Sequence, residues 1–208
     1  MGGLRPLGDA HIEKIKTNCR MSFSFGTNFQ EYAAPKARIY SLFTPFCNNS
    51  VYSVLVKAKE KSYTNYRLKT RTMEVFSEFH NLFYQYDPDK GKYRKVIPEL
   101  ISSDMCEIVL AHFIMGDGNY GKDGRVRIYT NNYTLEECIL LRDSIKNNCG
   151  IKCEVLFDRV GKNKENQYIL TIGKTELKKL QSLVKPYMHI SMLYRVGLNK
   201  ISGCKMNN

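Results

Sequence analysis

The feature that most constrains the fold is an apolar segment in the middle of the chain, residues 104–116, which is followed directly by Asp117 and Gly118. Apolar side chains fill most positions from Met105 onward, so a helix formed here is apolar around most of its circumference. Such a helix is stable only when it is buried. We therefore predict a buried helix that Asp104 caps at its start and that glycine ends.

Segments with strand-like alternation and helical spacing follow this helix, and the same order precedes it. In the second half the helices are expected at 135–148 and 175–184, and the strands at 125–130, 151–157 and 167–172. In the first half the expected helices are 32–43 and 73–83, and the expected strands are 21–25, 51–57 and 65–70. The pattern predicts an α+β fold with two αββαββα halves related by a pseudo-twofold.

Residue pairs at a nearly constant spacing support an internal repeat. Asp9 and Asp117 are 108 residues apart, Tyr66 and Tyr168 are 102 apart, and Lys95 and Arg195 are 100 apart. We place an N-terminal half at residues 1–83, a polar and turn-rich linker at 84–103, and a C-terminal half at 104–208. Because each half is too small to be comfortably stable alone, the halves are expected to pack as a pseudo-dimer.

The charge balance indicates the class of partner. Lysine and arginine number 32 against 20 acidic residues, a net charge of +12, which is typical of proteins that bind nucleic acid. No apolar run is long enough to cross a bilayer, so no membrane partner is expected. The seven cysteines are an odd number and no two of them have C-x-x-C spacing, so we expect reduced thiols in a reducing compartment.

Two short motifs carry a family resemblance. The sequence Leu-Ala-His-Phe-Ile-Met-Gly-Asp-Gly at 110–118 resembles the LAGLIDADG signature, with the acid and the glycine in register. The sequence Leu-Gly-Asp-Ala-His-Ile at 7–12 is similar to a first copy. Two copies about a hundred residues apart in one chain are similar to the monomeric, two-motif, intron-encoded LAGLIDADG homing endonucleases.

This resemblance implies a metal-dependent DNA endonuclease, a phosphodiester hydrolase. Asp9 and Asp117 would hold divalent metal at the ends of the two motif helices, together with Gly8 and Gly116. The expected cofactor is Mg²⁺, or Mn²⁺, with Ca²⁺ as a substitute that does not support cleavage. Lys95 and Arg195 would be catalytic by stabilising phosphate charge or polarising the attacking water, although nonspecific phosphate binding is the equal alternative.

The resemblance also implies that antiparallel sheets form a DNA-binding saddle in the major groove. Polar and charged side chains on the strands are the candidates for DNA contacts. They are Ser22, Ser24, Lys57, Lys59, Arg67, Lys69 and Arg71 in the first half and Arg125, Arg127, Asn131, Lys152, Glu154 and Lys162 in the second.

The resulting hypothesis is a monomer that makes a site-specific double-strand cut in a long, mostly asymmetric DNA target. The resemblance implies homing of a mobile intron, with a mitochondrion or another organelle as the location. The alternative is an RNA maturase that binds intron RNA and assists splicing without DNA cleavage, which Pro6 in the first motif favours. A noncatalytic DNA-binding regulator with the same fold is a third hypothesis.

Overall fold

The computed structural model describes residues 10–26, 38–58, 61–161 and 164–198. The chain divides into two compact units, with the boundary between Val96 and Ile97. We call the described residues up to Val96 the N-terminal unit and those from Ile97 onward the C-terminal unit. The boundary lies within the predicted linker, residues 84–103, but that segment is structured: it forms a β-hairpin in the first unit and a short helix in the second.

The N-terminal unit contains one four-stranded antiparallel sheet with the strand order β1-β2-β4-β3. Two α-helices, a 3-10 helix at Thr44–Phe46 and a separate hairpin complete the described part of the unit. In chain order the elements are β1 (Ala10–Ile15), β2 (Asn18–Gly26), α1 (Arg38–Phe43), β3 (Tyr52–Ala58), β4 (Lys61–Lys69), α2 (Glu74–Phe83), β5 (Tyr84–Asp87) and β6 (Lys92–Lys95).

One face of this sheet is the core of the unit. Phe23 pairs with Leu68 across the strands, and both side chains are buried. Helix α2 contributes Phe76 and Phe83 to the core, and these are also buried. Because side chains alternate across a strand, the neighbouring residues project from the opposite side, which we call the open face of the N-terminal sheet.

The C-terminal unit has a sheet of the same topology, with the order β7-β8-β10-β9. Its strands are β7 (Gly118–Tyr120), β8 (Val126–Tyr129), β9 (Cys153–Val160) and β10 (Asn166–Ile172). Its helices are α3 (Ile101–Asp104), α4 (Glu107–Asp117), α5 (Leu135–Cys149) and α6 (Lys174–Val184), and a 3-10 helix at Ile190–Val196 follows.

Helix α4 is the apolar segment singled out in the sequence. Leu110, Ala111, Phe113 and Ile114 have no exposed surface, which confirms the predicted buried helix. Its predicted cap is wrong. Asp104 ends the preceding helix α3, and Cys106 is the first flanking residue of α4 and makes no side-chain capping bond.

The strand registers confirm the internal repeat. Tyr66 pairs with Ser53 in the first sheet, and Tyr168 pairs with Phe157 in the second, at equivalent places in the two ladders. The order of two strands, a helix, two strands and a helix is therefore repeated, as predicted, while the hairpin β5–β6 has no counterpart among the described residues of the C-terminal unit. The first motif helix and residues 32–37 of the predicted helix at 32–43 lie outside them. The short first strands of the two sheets, β1 and β7, were not located from the sequence.

Two further expectations concern composition. No described helix has both the length and the apolar content that a membrane crossing requires. The six cysteines within the described residues are free thiols. Burial raises the pKa of Cys149 to about 11 and that of Cys153 to about 12, so both remain protonated and unreactive near neutral pH.

Candidate functional site

The second motif places Asp117 at the end of helix α4, where the chain passes directly into strand β7. The amide of Gly118 still bonds to the carbonyl of Ile114, so the turn is tight. A Cβ at Gly118 would lie 2.5 Å from the Ile114 oxygen, which no side chain can do. Glycine is therefore required immediately after the aspartate. Helix carbonyls and the negative end of the helix dipole gather at this point and favour a cation.

A positively charged side chain lies beside Asp117. Arg195, near the end of the 3-10 helix Ile190–Val196, donates from Nη1 to the carbonyl oxygens of Gly116 at 3.2 Å and Gly118 at 2.5 Å. The guanidinium thus spans the backbone on both sides of Asp117. Gly197 ends the 3-10 helix with a positive φ of 72°, and the Tyr120 ring occupies the place of a side chain there.

The N-terminal unit repeats this arrangement with lysine. Lys95, the last residue of β6, donates from Nζ to the carbonyl oxygen of Ala10 at 3.0 Å. Ala10 directly follows Asp9, just as Gly118 directly follows Asp117. The structure therefore confirms that Lys95 and Arg195 occupy equivalent places. Gly8 and Asp9 themselves lie outside the described residues.

A hydrogen-bonded aromatic pair lies next to Lys95. The hydroxyl of Tyr84 accepts from the amide of Ile12 at 3.1 Å and lies 3.0 Å from Nδ1 of His11. Burial lowers the pKa of His11, and Lys95 and Lys69 lower it further, while Glu13 opposes the shift. The Tyr84 oxygen accepts a hydrogen bond from Ile12, so its own hydroxyl hydrogen is available to donate. Neutral His11 can accept that hydrogen bond at Nδ1.

The histidines were not expected to cluster at ligand spacing. The Tyr84 ring nevertheless contacts two of them, since it meets His11 edge-on and stacks on His80 at 4.9 Å. Within the described part of the chain, no group of three or more histidine, cysteine or acidic side chains is placed to hold a metal. The cluster therefore joins β1, α2 and β5 by packing and hydrogen bonding.

The open face of the N-terminal sheet brings together four of the predicted DNA-contacting residues. Ser22 pairs with Lys69, and Ser24 pairs with Arg67. Lys69 also forms an ion pair with Glu13 at 3.2 Å, and Arg20 pairs with the same carboxylate at 2.7 Å. The prediction missed Arg20 and Glu13, although their alternation with buried Ile12 and Met21 could have placed them on this face.

Three other predicted residues of this unit do not join that face. Lys57 is exposed, but it pairs with Ser62, whose alternation with Leu68 places both on the face opposite Arg67 and Lys69. Arg71 lies beyond β4 and donates from Nη2 to the carbonyl of Pro45, which ties it to the 3-10 helix Thr44–Phe46. Lys59 lies outside the described residues.

The C-terminal sheet presents a corresponding open face. Thr171 pairs with Arg127 on one side and with Glu154 on the other, so these three side chains form one row. Arg125 lies two residues before Arg127, and Lys152 lies two residues before Glu154. Both therefore project from the same side of the sheet as this row. Asp123 holds the Arg127 guanidinium through two hydrogen bonds.

The remaining predicted contacts in this unit are less well placed. Asn131 follows strand β8, and its Oδ1 is buried without a hydrogen-bond partner among the described residues. Lys162 lies outside them. The prediction missed Asp123 and Thr171, since acidic and small polar residues on a basic strand give no strong signal.

Comparison with known families accounts for both repeats together. The model of the LAGLIDADG DNA endonuclease family matches residues 2–180.

The chain belongs to the LAGLIDADG DNA endonuclease family. It is 33% identical over 168 residues to the intron-encoded endonuclease ai4 of Dictyostelium discoideum, an alignment that covers 77% of this chain and 99% of that protein. It is also 28% identical over 199 residues to the cytochrome b mRNA maturase bI2 of Saccharomyces cerevisiae (strain ATCC 204508 / S288c), covering 92% of this chain and 45% of the maturase.

Solved structures agree on the fold of this LAGLIDADG protein. The homing endonuclease I-WcaI bound to its DNA recognition sequence superposes with a TM-score of 0.75 at 21% identity, covering 92% of this chain and 82% of that one. Mesophilic variants of the homing endonuclease I-DmoI give a TM-score of 0.53 at 17% identity, covering 85% of this chain and 88% of that one. Likenesses at these identities establish the fold.

The donor atoms at the end of α4 suit a hard divalent cation. The Asp117 carboxylate and the helix-end carbonyls are oxygen ligands, which Mg²⁺ prefers, and it commonly uses only one or two carboxylates. Gly116 is a weaker candidate than the sequence suggested, because its carbonyl already accepts a hydrogen bond from Arg195. That oxygen keeps one lone pair, so Asp117 is the stronger ligand.

Proposed function

We propose that this LAGLIDADG protein is a site-specific endonuclease that hydrolyses both strands of a DNA duplex and serves the homing of a mobile intron. The observation that carries the proposal is an arrangement found in both units. In each unit a cationic side chain bonds to the carbonyl that directly follows the motif aspartate. A hydrolytic site for phosphodiesters needs this combination of acid and fixed positive charge.

The proposed chemistry assigns Asp9 and Asp117 to divalent metal, with Mg²⁺ or Mn²⁺ supporting cleavage and Ca²⁺ supporting binding only. When bound, such an ion neutralises charge on the phosphate oxygens and lowers the pKa of a water. A guanidinium suits a fixed charge better than proton transfer, so Arg195 is assigned the stabilisation of phosphate charge. Lys95 supplies the corresponding charge in the other unit.

Sequence recognition is assigned to the open faces of the two sheets, each of which would enter the major groove. Arginine suits guanine there, and glutamate can accept from the amino group of cytosine. The ion pairs of Lys69 with Glu13 and of Arg127 with Asp123 hold these cations in defined positions before DNA binds. Prior ordering of long side chains reduces the entropy lost on binding.

Equivalent positions on the two open faces carry different chemistry, which supports a mostly asymmetric target. The strand registers make Ser22 equivalent to Arg127 and Lys69 equivalent to Thr171. A hydroxyl in one sheet therefore corresponds to a guanidinium in the other. We propose a monomer that reads a long site with two unlike halves, in a mitochondrion or another organelle.

The second candidate function is RNA maturation. The similarity to the cytochrome b mRNA maturase bI2 of yeast favours it. A net charge of +12 suits RNA as well as DNA, because both backbones are polyanions. Under this alternative the basic faces remain in use and the helix-end carboxylates do not.

A two-arm experiment tests the proposal. In the first arm the purified chain and Mg²⁺ are incubated with a plasmid library of randomised duplex sites, and the ends of linear products are sequenced. In the second arm the chain is added to an intron precursor RNA and splicing is followed. The proposal expects staggered cuts within one sequence. Splicing assistance without any linear plasmid would overturn it in favour of the maturase.

A further inference from the structure

A cavity of about 510 Å³ lies in the C-terminal unit, where strand β10 leads into helix α6. Its lining includes the basic side chains Arg125, Lys152 and Lys174 and the hydroxyl residues Thr171 and Thr175. Two carboxylates, Glu154 and Glu176, also line it, so the cations are in excess by one.

The floor of the cavity holds a hydroxyl that lacks a partner. Thr171 is 3% exposed, and its Oγ1 makes no hydrogen bond to any of the residues that the structure describes. Its side chain projects from the open face between Arg127 and Glu154. A buried hydroxyl without a partner destabilises a fold, so such a group in a lined cavity indicates a ligand that uses it.

Helix α6 begins at the same cavity and adds backbone donors. It runs for 11 residues from Lys174, and its flanking residue Gly173 has no side chain to cap the first turn. The amides of a first helical turn have no partners within the helix, and the dipole makes this end positive. Anions bind readily at such ends when further donors converge on them.

The charged groups around the cavity are held in place. A Cβ at Gly124 would lie 3.1 Å from Cε of Lys174, so the lysine stem lies across that glycine. Glu176 accepts the backbone amide of Lys152 at 3.2 Å, which engages one of the two carboxylates with the main chain. Lys174 and the first turn of α6 therefore line the same cavity as the Thr171 hydroxyl.

We infer that this cavity binds a phosphate group, with Thr171 and the first amides of α6 as donors and Lys174, Lys152 and Arg125 as charges. Two sources share this chemistry, a phosphodiester of a nucleic-acid backbone and free phosphate. Because the cavity lies on the open face of the sheet, we assign the phosphate to a nucleic-acid backbone. That assignment rests on the proposed function. The contact would anchor the duplex without reading its sequence.

The first arm of the test uses inorganic phosphate on the whole chain and follows the amide signals of Lys174 and Thr175 by NMR. Saturable shifts are expected for the wild type. Thr171→Val keeps the shape and removes the hydroxyl, so phosphate affinity should fall about tenfold, while the thermal midpoint stays unchanged or rises. Lys178→Gln, on the same helix but outside the cavity, is the matched control for Lys174→Gln.

The second arm uses a mixed-sequence DNA duplex and measures affinity across a salt series. Lys174→Gln should weaken binding and reduce the slope of log K against log salt by about 0.9, the value for one phosphate contact. Lys178→Gln should change neither. Phosphate shifts in the first arm with no difference between these variants in the second would assign the cavity to free phosphate and overturn the backbone contact.

Absence of saturable phosphate shifts, combined with duplex binding by Thr171→Val and Lys174→Gln that equals the control, would overturn the site altogether. A wild type that binds no duplex would instead contradict the proposed function. In that case the phosphate titration still decides whether the cavity is an anion site, so the two failures are distinguishable.

Discussion

Arg195 and Gly118 are 77 residues apart in the chain, yet Nη1 of the arginine donates to the glycine carbonyl at 2.5 Å. Lys95 makes the corresponding bond to Ala10 across 85 residues. Each bond holds a positive charge against the first strand of its sheet, at the residue that directly follows the motif aspartate. The repeat thus preserves the position of the charge while its chemical identity differs.

Arg195 is expected to contribute to the rate of cleavage and little to DNA affinity. Arg195→Met removes the charge and should slow single-turnover cleavage roughly 10²- to 10³-fold, the usual effect of losing one preorganised donor. Arg195→Lys keeps a charge and should lose less. Both rates are measured with Mg²⁺ at saturating enzyme.

The matched control is Arg142→Met. Arg142 forms an ion pair with its neighbour Asp143 on helix α5 and has no role in the proposed site. The Arg142→Met variant should cleave at the wild-type rate. Equal losses for Arg195→Met and Arg142→Met would contradict a specific role for Arg195.

Tyr84→Phe is expected to destabilise the N-terminal unit. The change leaves the buried amide of Ile12 without its acceptor and removes the contact with His11. Loss of a partner for a buried donor is worth about 1–3 kcal/mol in the free energy of unfolding. Urea unfolding measures the loss, and Tyr86→Phe is the control because Tyr86 is 53% exposed. A loss no larger than that of the control would contradict the assigned hydrogen bonds.

Gly118→Ala is expected to lose both stability and cleavage. The new Cβ would be 2.5 Å from the Ile114 oxygen, so α4 and β7 must move apart and Asp117 moves with them. Overpacking of this kind lowers the free energy of unfolding by about 1–3 kcal/mol. Gly91→Ala meets open space but is strained by the positive φ of 60°, so it controls for lost stability away from α4 and should retain cleavage. Unaltered cleavage by Gly118→Ala would show that the tight turn does not position Asp117.

The ion pair of Asp123 with Arg127 predicts how stability depends on pH. The hydrogen bonds from Arg127 lower the pKa of Asp123 to about 2. Because the folded pKa lies below the unfolded one, the stabilisation is complete above the unfolded pKa and is lost as the pH falls toward 2. Carboxyl NMR should give this midpoint in the wild type and a higher one in Arg127→Gln. The same midpoint in both would contradict the ion pair.

The sequence was sufficient for the repeat and for the place of Asp117. The apolar surface of 105–115 requires burial, and the spacing of Tyr66 and Tyr168 reflects ladders with the same register. The equivalence of Lys95 and Arg195 followed from the same repeat. These features depend on local pattern and periodicity, which a single sequence contains.

Other features depend on contacts that no local pattern specifies. The bonds of Tyr84 join residues more than 70 positions apart. The sequence also did not show which face of the sheet carries Lys57, which the register places opposite Arg67 and Lys69. The cap of α4 was misplaced because Asp104 belongs to a separate turn of helix. The unpartnered Thr171 hydroxyl is visible only when its surroundings are known.

The central claim is that the helix-end aspartate of the second motif performs metal-dependent cleavage. The most direct measurement is the single-turnover cleavage rate of Asp117→Asn on the selected target with Mg²⁺, together with its DNA affinity in Ca²⁺. The account predicts a rate loss on the order of 10³-fold or more with affinity within a factor of about three. Cleavage by Asp117→Asn at a rate near that of the wild type would contradict it.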